Sequence, residues 1–225
     1  MVRAAAALLA AVFAVPLAGA AMAQPQDSRL IVGMALEPPH LDPTAGAAAA
    51  IDEVVYANVF EGLTRIAPDG TVVPGLASSW TVEPDLSAVT FTLQEGVTFH
   101  DGSPFDADVA KFALDRARAE GAENAQPQLF AAIESVVAED PLTLRVELGA
   151  PDADLPYALA WGDAVMVHPD SAETNKQTPV GTGPFRFERW RRGDRGVLTR
   201  NDAYWGPPPA LAAVEMAFIA DPAVA

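Results

Sequence analysis

Leu63 to Gly102 reads LTRIAPDGTVVPGLASSWTVEPDLSAVTFTLQEGVTFHDG, and its two-residue period bears most directly on the fold class. Thr64 to Ile66, Ser79 to Val82 and Ala88 to Leu93 are strand candidates, because alternate side chains of a strand point to opposite faces. Asp69-Gly70, Pro74-Gly75, Glu83-Pro84-Asp85 and Glu95-Gly96 separate them with turn formers. Val97 to His100 reads as a further short strand, stopped by Asp101-Gly102.

Outward from this stretch the period changes to that of helices. Asp106 is an N-cap candidate with Asp108 in the first turn, and Val109, Phe112, Ala113 and Arg116 share a face behind it. Upstream, Ala47 to Gly62 reads as a helix with Ile51, Val54, Val55, Asn58 and Val59 on one face. Gly62 is expected at the left-handed position past its end. Leu30 to Leu36 reads as a buried strand closed by Glu37-Pro38-Pro39, since proline offers no donor to a ladder. Downstream, Ile133 to Ala138 and Leu142 to Leu148 form a hairpin around Glu139-Asp140-Pro141. A short helix near Leu155 to Ala160 and a strand from Ala164 to Val167 follow. Gly181-Thr182-Gly183-Pro184 turns into Phe185 to Trp190, whose alternation of apolar and charged residues marks a strand with one wet face. Gly196 to Arg200 pairs with it, and Val214 to Ile219 is a last strand. The mixture predicts an α+β or α/β fold.

The first residues carry a different signal. Arg3 precedes an apolar run from Ala4 to Leu17, and Ala21-Met22-Ala23 has the small-x-small form of a cleavage site. Residues 1–23 are therefore expected to be a signal peptide, cleaved near Ala23. The alternative, an uncleaved anchor or buried helix, fits less well because the run is short and rich in alanine. The 225-residue chain has no cysteine, which removes disulfides, thiolate metal sites and cysteine nucleophiles together. Its net charge is −16, and an acidic chain repels phosphate backbones, so nucleic acid is not an expected partner.

Chemical motifs are weak. His40, His100 and His168 stand far apart, so no metal site is expected. Gly181-Thr182-Gly183 lacks the Lys-Ser/Thr of a phosphate loop and precedes a strand, which favours a tight turn. Arg189, Arg191, Arg192 and Arg195 cluster around Gly193-Asp194 as either a solvated hairpin turn or an anion contact. No Gly-x-Ser-x-Gly elbow occurs, and the carboxylates form no pair that can be placed across a cleft, so no catalytic residue is assigned.

Several stretches point together to a family. They are Val59-Phe60-Glu61-Gly62-Leu63-Thr64, Asp69-Gly70, Pro74 to Trp80, Phe91-Thr92-Leu93, Gly96 to Gly102, Pro104 to Val109, Gly181 to Phe185 and Asn201-Asp202-Ala203-Tyr204-Trp205. In order and spacing the chain resembles the family 5 solute-binding proteins of ABC importers, the periplasmic dipeptide-, oligopeptide- and nickel-binding proteins. The resemblance runs from about Leu30 to the end.

It implies lobe I of a two-lobed, type II-like clamp that closes on its ligand. The lobe would have a mixed-sheet core from residues 24–50 and 179–225, with an α/β subdomain inserted over 51–178. The second lobe is expected to be missing, because family members are more than twice as long. The implied function is periplasmic capture of peptides or similar small solutes by a monomer, for delivery to an ABC permease at the inner membrane. No cofactor and no enzymatic activity are implied. The alternative is a truncated remnant with the lobe I fold and no tight binding. Leu36, Glu37, Ala47, Ala48, Ala49 and Trp161 are the expected cleft-lining residues, against the alternative that Trp161 is core and the alanines are helix filler.

Overall fold

The computed structural model describes residues 28–219, so the signal peptide expected over 1–23 lies outside the described residues. Along the chain run β1 (Arg29–Met34), α1 (Ala49–Val55), β2 (Thr64–Ile66), β3 (Val72–Pro74), β4 (Ala77–Val82), β5 (Ala88–Leu93), α2 (Ala107–Ala117), β6 (Ile133–Asp140), β7 (Thr143–Leu148), α3 (Leu155–Ala158), β8 (Phe185–Arg191), β9 (Arg195–Arg200) and β10 (Ala213–Phe218). This is the mixed α and β architecture that the periodicities predict.

The expected hairpin strands build an antiparallel sheet in the order β4-β5-β7-β6. Phe91 lies opposite Leu144, and Val89 opposite Val146, so the apolar positions of two strands meet in register. Helix α2 covers this face with Ala110, Ala113, Leu114 and Ala117. It starts where Asp106 accepts a hydrogen bond from the Val109 amide at 3.0 Å. Phe112 is only half-buried and packs toward the other core, so α2 stands between the two.

The second core lies on a mixed sheet ordered β1-β10-β9-β8, with β1 parallel to β10. Ile51, Val54 and Val55 of α1 pack there with Met34, Phe60, Leu198, Val214 and Met216. Val165 and Val167 join the same cluster. By packing, α1 and these valines therefore go with the mixed sheet, although sequence order sets them inside the 51–178 span.

Four expectations are corrected. The helix of residues 47–62 is only α1, ending at Val55, with Tyr56 extended and Ala57 at φ 57°. Its continuation is lost because the carbonyls of Asn58 and Val59 accept from the amides of Phe185 and Gly183, while Asn58 Nδ2 donates to the Val54 carbonyl. Gly62 is not left-handed; a Cβ there would come within 2.7 Å of the Leu159 carbonyl oxygen, so close packing is what requires glycine. Val97 to His100 makes only an isolated bridge, Thr98 to Pro104, and of Ala164 to Val167 the first residue ends a 3-10 turn over Gly162–Ala164 while the rest is buried chain outside any sheet. The short β2–β3 pair brings in Val72–Pro74, which alternation had not marked as a strand.

Candidate functional site

The residues expected to line a cleft fall on two segments, the loop from β1 to α1 and the stretch after α3. On α1 the spacing of four puts Ala48, Asp52 and Tyr56 on one face. That face meets the second segment directly. The Tyr56 hydroxyl donates to the Ala160 carbonyl, and a Cβ on Gly162 would lie 2.5 Å from Asp52 Oδ1. A side chain at 162 would have to displace the Asp52 carboxylate.

The contact holds two carboxylates. Asp52 is pushed up to about 6, first by burial and then by the charge of Asp163. Asp163 is also raised by burial, against a hydrogen bond from Gln126 that favours its charged form. Beside them Trp161 stands edge-on to Tyr157, with ring centroids 6.1 Å apart. Both rings remain open to solvent, Trp161 at 40% exposure, so Trp161 is not a core residue.

Ala47, Ala48 and Ala49 are exposed at the start of α1. Leu36 is 71% exposed at the far end of the loop. It follows Ala35, which borders a groove of about 640 Å³ between β1 and α1 lined by Leu30, Val32, Met34, Phe185 and Met216. Glu37 points elsewhere: its carboxylate accepts from Trp190 Nε1 at 2.9 Å and from the Gly193 amide at 3.0 Å. The structure thus ties the Trp161 segment to α1 through Tyr56 and Asp52, leaves the alanines exposed at the start of that helix, and turns Glu37 away to Trp190 and Gly193. Asp52, Asp163, Tyr56 and Tyr157 were not singled out in the sequence. The spacing of four from Ala48 to Asp52 to Tyr56, and from Tyr157 to Trp161, is the signal that connects them.

The remaining motifs serve as structure. His100 donates through Nε2 to the Gly183 carbonyl at 2.9 Å, and Nδ1 accepts from the Gly181 amide. Burial lowers it to about 4, so the ring is neutral. Gly181 and Gly183 lie against the carbonyls of Val59 and Asn58, where a Cβ would be 1.9 and 2.4 Å away; the segment is a tight crossing rather than a phosphate loop. Glu61 is buried with no cationic partner in hydrogen-bond contact. It accepts from Tyr204 at 2.7 Å, Trp205 at 2.9 Å and Thr182 at 2.9 Å, and burial raises its pKa. The hairpin arginines are engaged as well: Arg189 with Glu188, Arg191 with Asp194, Arg195 with Asp194 and Glu215. Among the described residues no group of three or more His, Asp or Glu could hold a metal ion, and no helix is long and apolar enough to cross a membrane.

Comparison with known proteins bears on the family and the fold. Residues 71–225 match the model of the bacterial extracellular solute-binding proteins, family 5 Middle. The probable D,D-dipeptide-binding periplasmic protein DdpA of Escherichia coli is 32% identical over 234 residues, covering 96% of this chain and 44% of that protein. The glutathione-binding protein GsiB of Pectobacterium atrosepticum is 32% identical over 160 residues, covering 69% of this chain and 31% of its own. Among solved structures, the periplasmic binding protein AgaA of A. tumefaciens R10, in complex with agropinic acid, superposes with a TM-score of 0.80 at 28% identity, covering 86% of this chain and 40% of that one. The chain therefore spans less than half the length of each of these relatives, and its fold is that of one lobe of a periplasmic binding protein. These relatives are binding proteins, not enzymes. Since the match extends over more than two thirds of the sequence, the chain belongs to the bacterial extracellular solute-binding proteins, family 5.

Proposed function

We propose that this chain is part of a periplasmic substrate-binding component of an ABC importer, one that captures peptides or similar small solutes and presents them to a permease in the inner membrane. The single observation that carries the reading is the family membership together with a lobe-sized match to ligand-bound binding proteins. The signal expected over residues 1–23 agrees with a periplasmic location. Trp161, Ala47, Ala48, Ala49 and Leu36 are the capturing residues in this reading, carried on two segments, with Trp161 and Tyr157 as an apolar wall on one and Leu36 exposed on the other. An exposed aromatic pair beside partly buried polar groups suits a small ligand that presents both apolar and polar surface. The face acts by giving the solute a preformed surface, not by chemistry.

Isothermal titration calorimetry on the chain tests this, using reduced glutathione, the dipeptide Met-Leu and nickel–histidine as probes. Saturable heat with at least one probe is expected, reduced when Trp161 is replaced by alanine. Heat that is absent for all three, or unchanged in W161A, contradicts the reading.

A further inference from the structure

The turn between β8 and β9 was legible only as a basic cluster, yet it makes an unusual set of contacts with the loop that follows β1. The turn runs Arg191-Arg192-Gly193-Asp194-Arg195, with Gly193 at φ 69°. A left-handed glycine here turns its amide outward, away from the ladder. That amide donates to both oxygens of Glu37, at 3.1 and 3.0 Å. Trp190 Nε1 donates to Glu37 Oε1 at 2.9 Å. The Arg192 guanidinium lies 3.7 Å above the Trp190 ring and donates to the Pro39 carbonyl at 3.0 Å. The turn thus grips the backbone on one side of Pro38 and the side chain on the other.

We infer that Glu37 is a positioning residue, clasped by the Trp190–Gly193 turn so that the loop from β1 to α1 is held in one conformation with Leu36 turned to solvent. The inference rests on the reading of Leu36 as part of the capturing face, and it removes Glu37 from the residues that would touch ligand. Its carboxylate already accepts from two elements, whereas Leu36 beside it is 71% exposed and has no covering partner among the described residues. A large apolar side chain is held in water here by the fixing of its neighbour. Farther along, the loop is tied twice more. The Leu41 amide donates to the Lys176 carbonyl at 3.0 Å, and buried Asp42 accepts from Thr44 and pairs with Arg116 at 3.4 Å. A loop ordered before binding spares the ligand the entropy of ordering it.

Glu37→Gln tests the clasp with the charge removed: an amide oxygen at the Oε1 position can accept from Trp190 and Gly193, while the amide nitrogen in place of Oε2 forfeits the second Gly193 bond. The readout is amide exchange by NMR at Leu41, which does not touch Glu37, with the Trp190 indole proton as the local signature. In E37A, folded by circular dichroism, the indole resonance should shift and Leu41 exchange should rise about tenfold, while E37Q, which keeps the acceptor for the indole, should fall between E37A and the parent. W190F should loosen Leu41 as well, since it removes the indole donor and keeps a ring. Unchanged Leu41 exchange in E37A, or E37Q as loose as E37A, overturns the clasp. Titration of the same variants with reduced glutathione adds the functional arm, with about tenfold weaker binding expected in E37A and a smaller loss in W190F and E37Q. If the parent chain binds no solute, the capture reading fails while the exchange pattern still decides the clasp.

Discussion

The antiparallel subdomain and the segments outside it are held by different physics. In the β4-β5-β7-β6 sheet with α2, the contacts are apolar, regular and in register: Val89, Phe91, Leu144 and Val146 are all fully buried. Outside it, buried polar groups join segments distant in sequence. Glu61 binds Thr182, Tyr204 and Trp205; His100 binds Gly181 and Gly183; Asp42 binds Arg116. A regular apolar core makes a rigid base, and the polar ties fix irregular loops on it. Binding residues commonly stand on such loops, because a loop can aim side chains that a sheet would hide.

The largest expected break in the comparison comes from Phe91→Ala, which leaves a cavity in the apolar core and should cost about 4 kcal/mol in chemical denaturation. Glu61→Ala tests the other regime. It strips three donors of their acceptor and should cost about 3 kcal/mol, since each buried unpaired polar group costs ~1–3 kcal/mol. Its signature is local: hydrogen exchange should accelerate in residues 201–212 while β5 and β7 stay protected. Uniform loss of protection would place Glu61 in the same cooperative core as Phe91 and dissolve the distinction.

Acid gives a smaller and graded effect. His100 is lowered to about 4 in the folded chain against an ordinary 6.5, so the unfolded state binds a proton that the folded state refuses. The stability His100 contributes is fully present above pH 6.5 and is lost as the pH falls through 4, by about 3 kcal/mol on reaching pH 4, at ~1.4 kcal/mol per unit of pKa. Urea midpoints measured between pH 7 and pH 4 should fall less in His100→Gln than in the parent. An equal fall in both would show that His100 is not the group responsible.

The same division explains what could be read from the sequence. Asp106 capped α2, and the strands Thr64 to Ile66 and Ala88 to Leu93 stand where alternation placed them, because their determinants lie within a few residues. The helix over 47–62 was read too long because its carbonyls are taken by Gly183 and Phe185, more than a hundred residues away, which no local period records. Gly62 was read as a helix stop for the same reason, its neighbour being the Leu159 carbonyl. At the candidate face Trp161 and the alanines were legible as a pair of loop segments, but Asp52 and Asp163 were lost among the carboxylates until the fold set Asp52 against Gly162. Glu37 was placed in the right loop, and only the hairpin turn shows that its carboxylate faces inward to the clasp.

The most direct test of the account is hydrogen exchange of the chain with and without a saturating solute from the calorimetric panel. The account predicts added protection in residues 36–49 and 157–163, with β4, β5, β6 and β7 unchanged. Protection confined to that antiparallel subdomain, or none with any solute that binds, would contradict it.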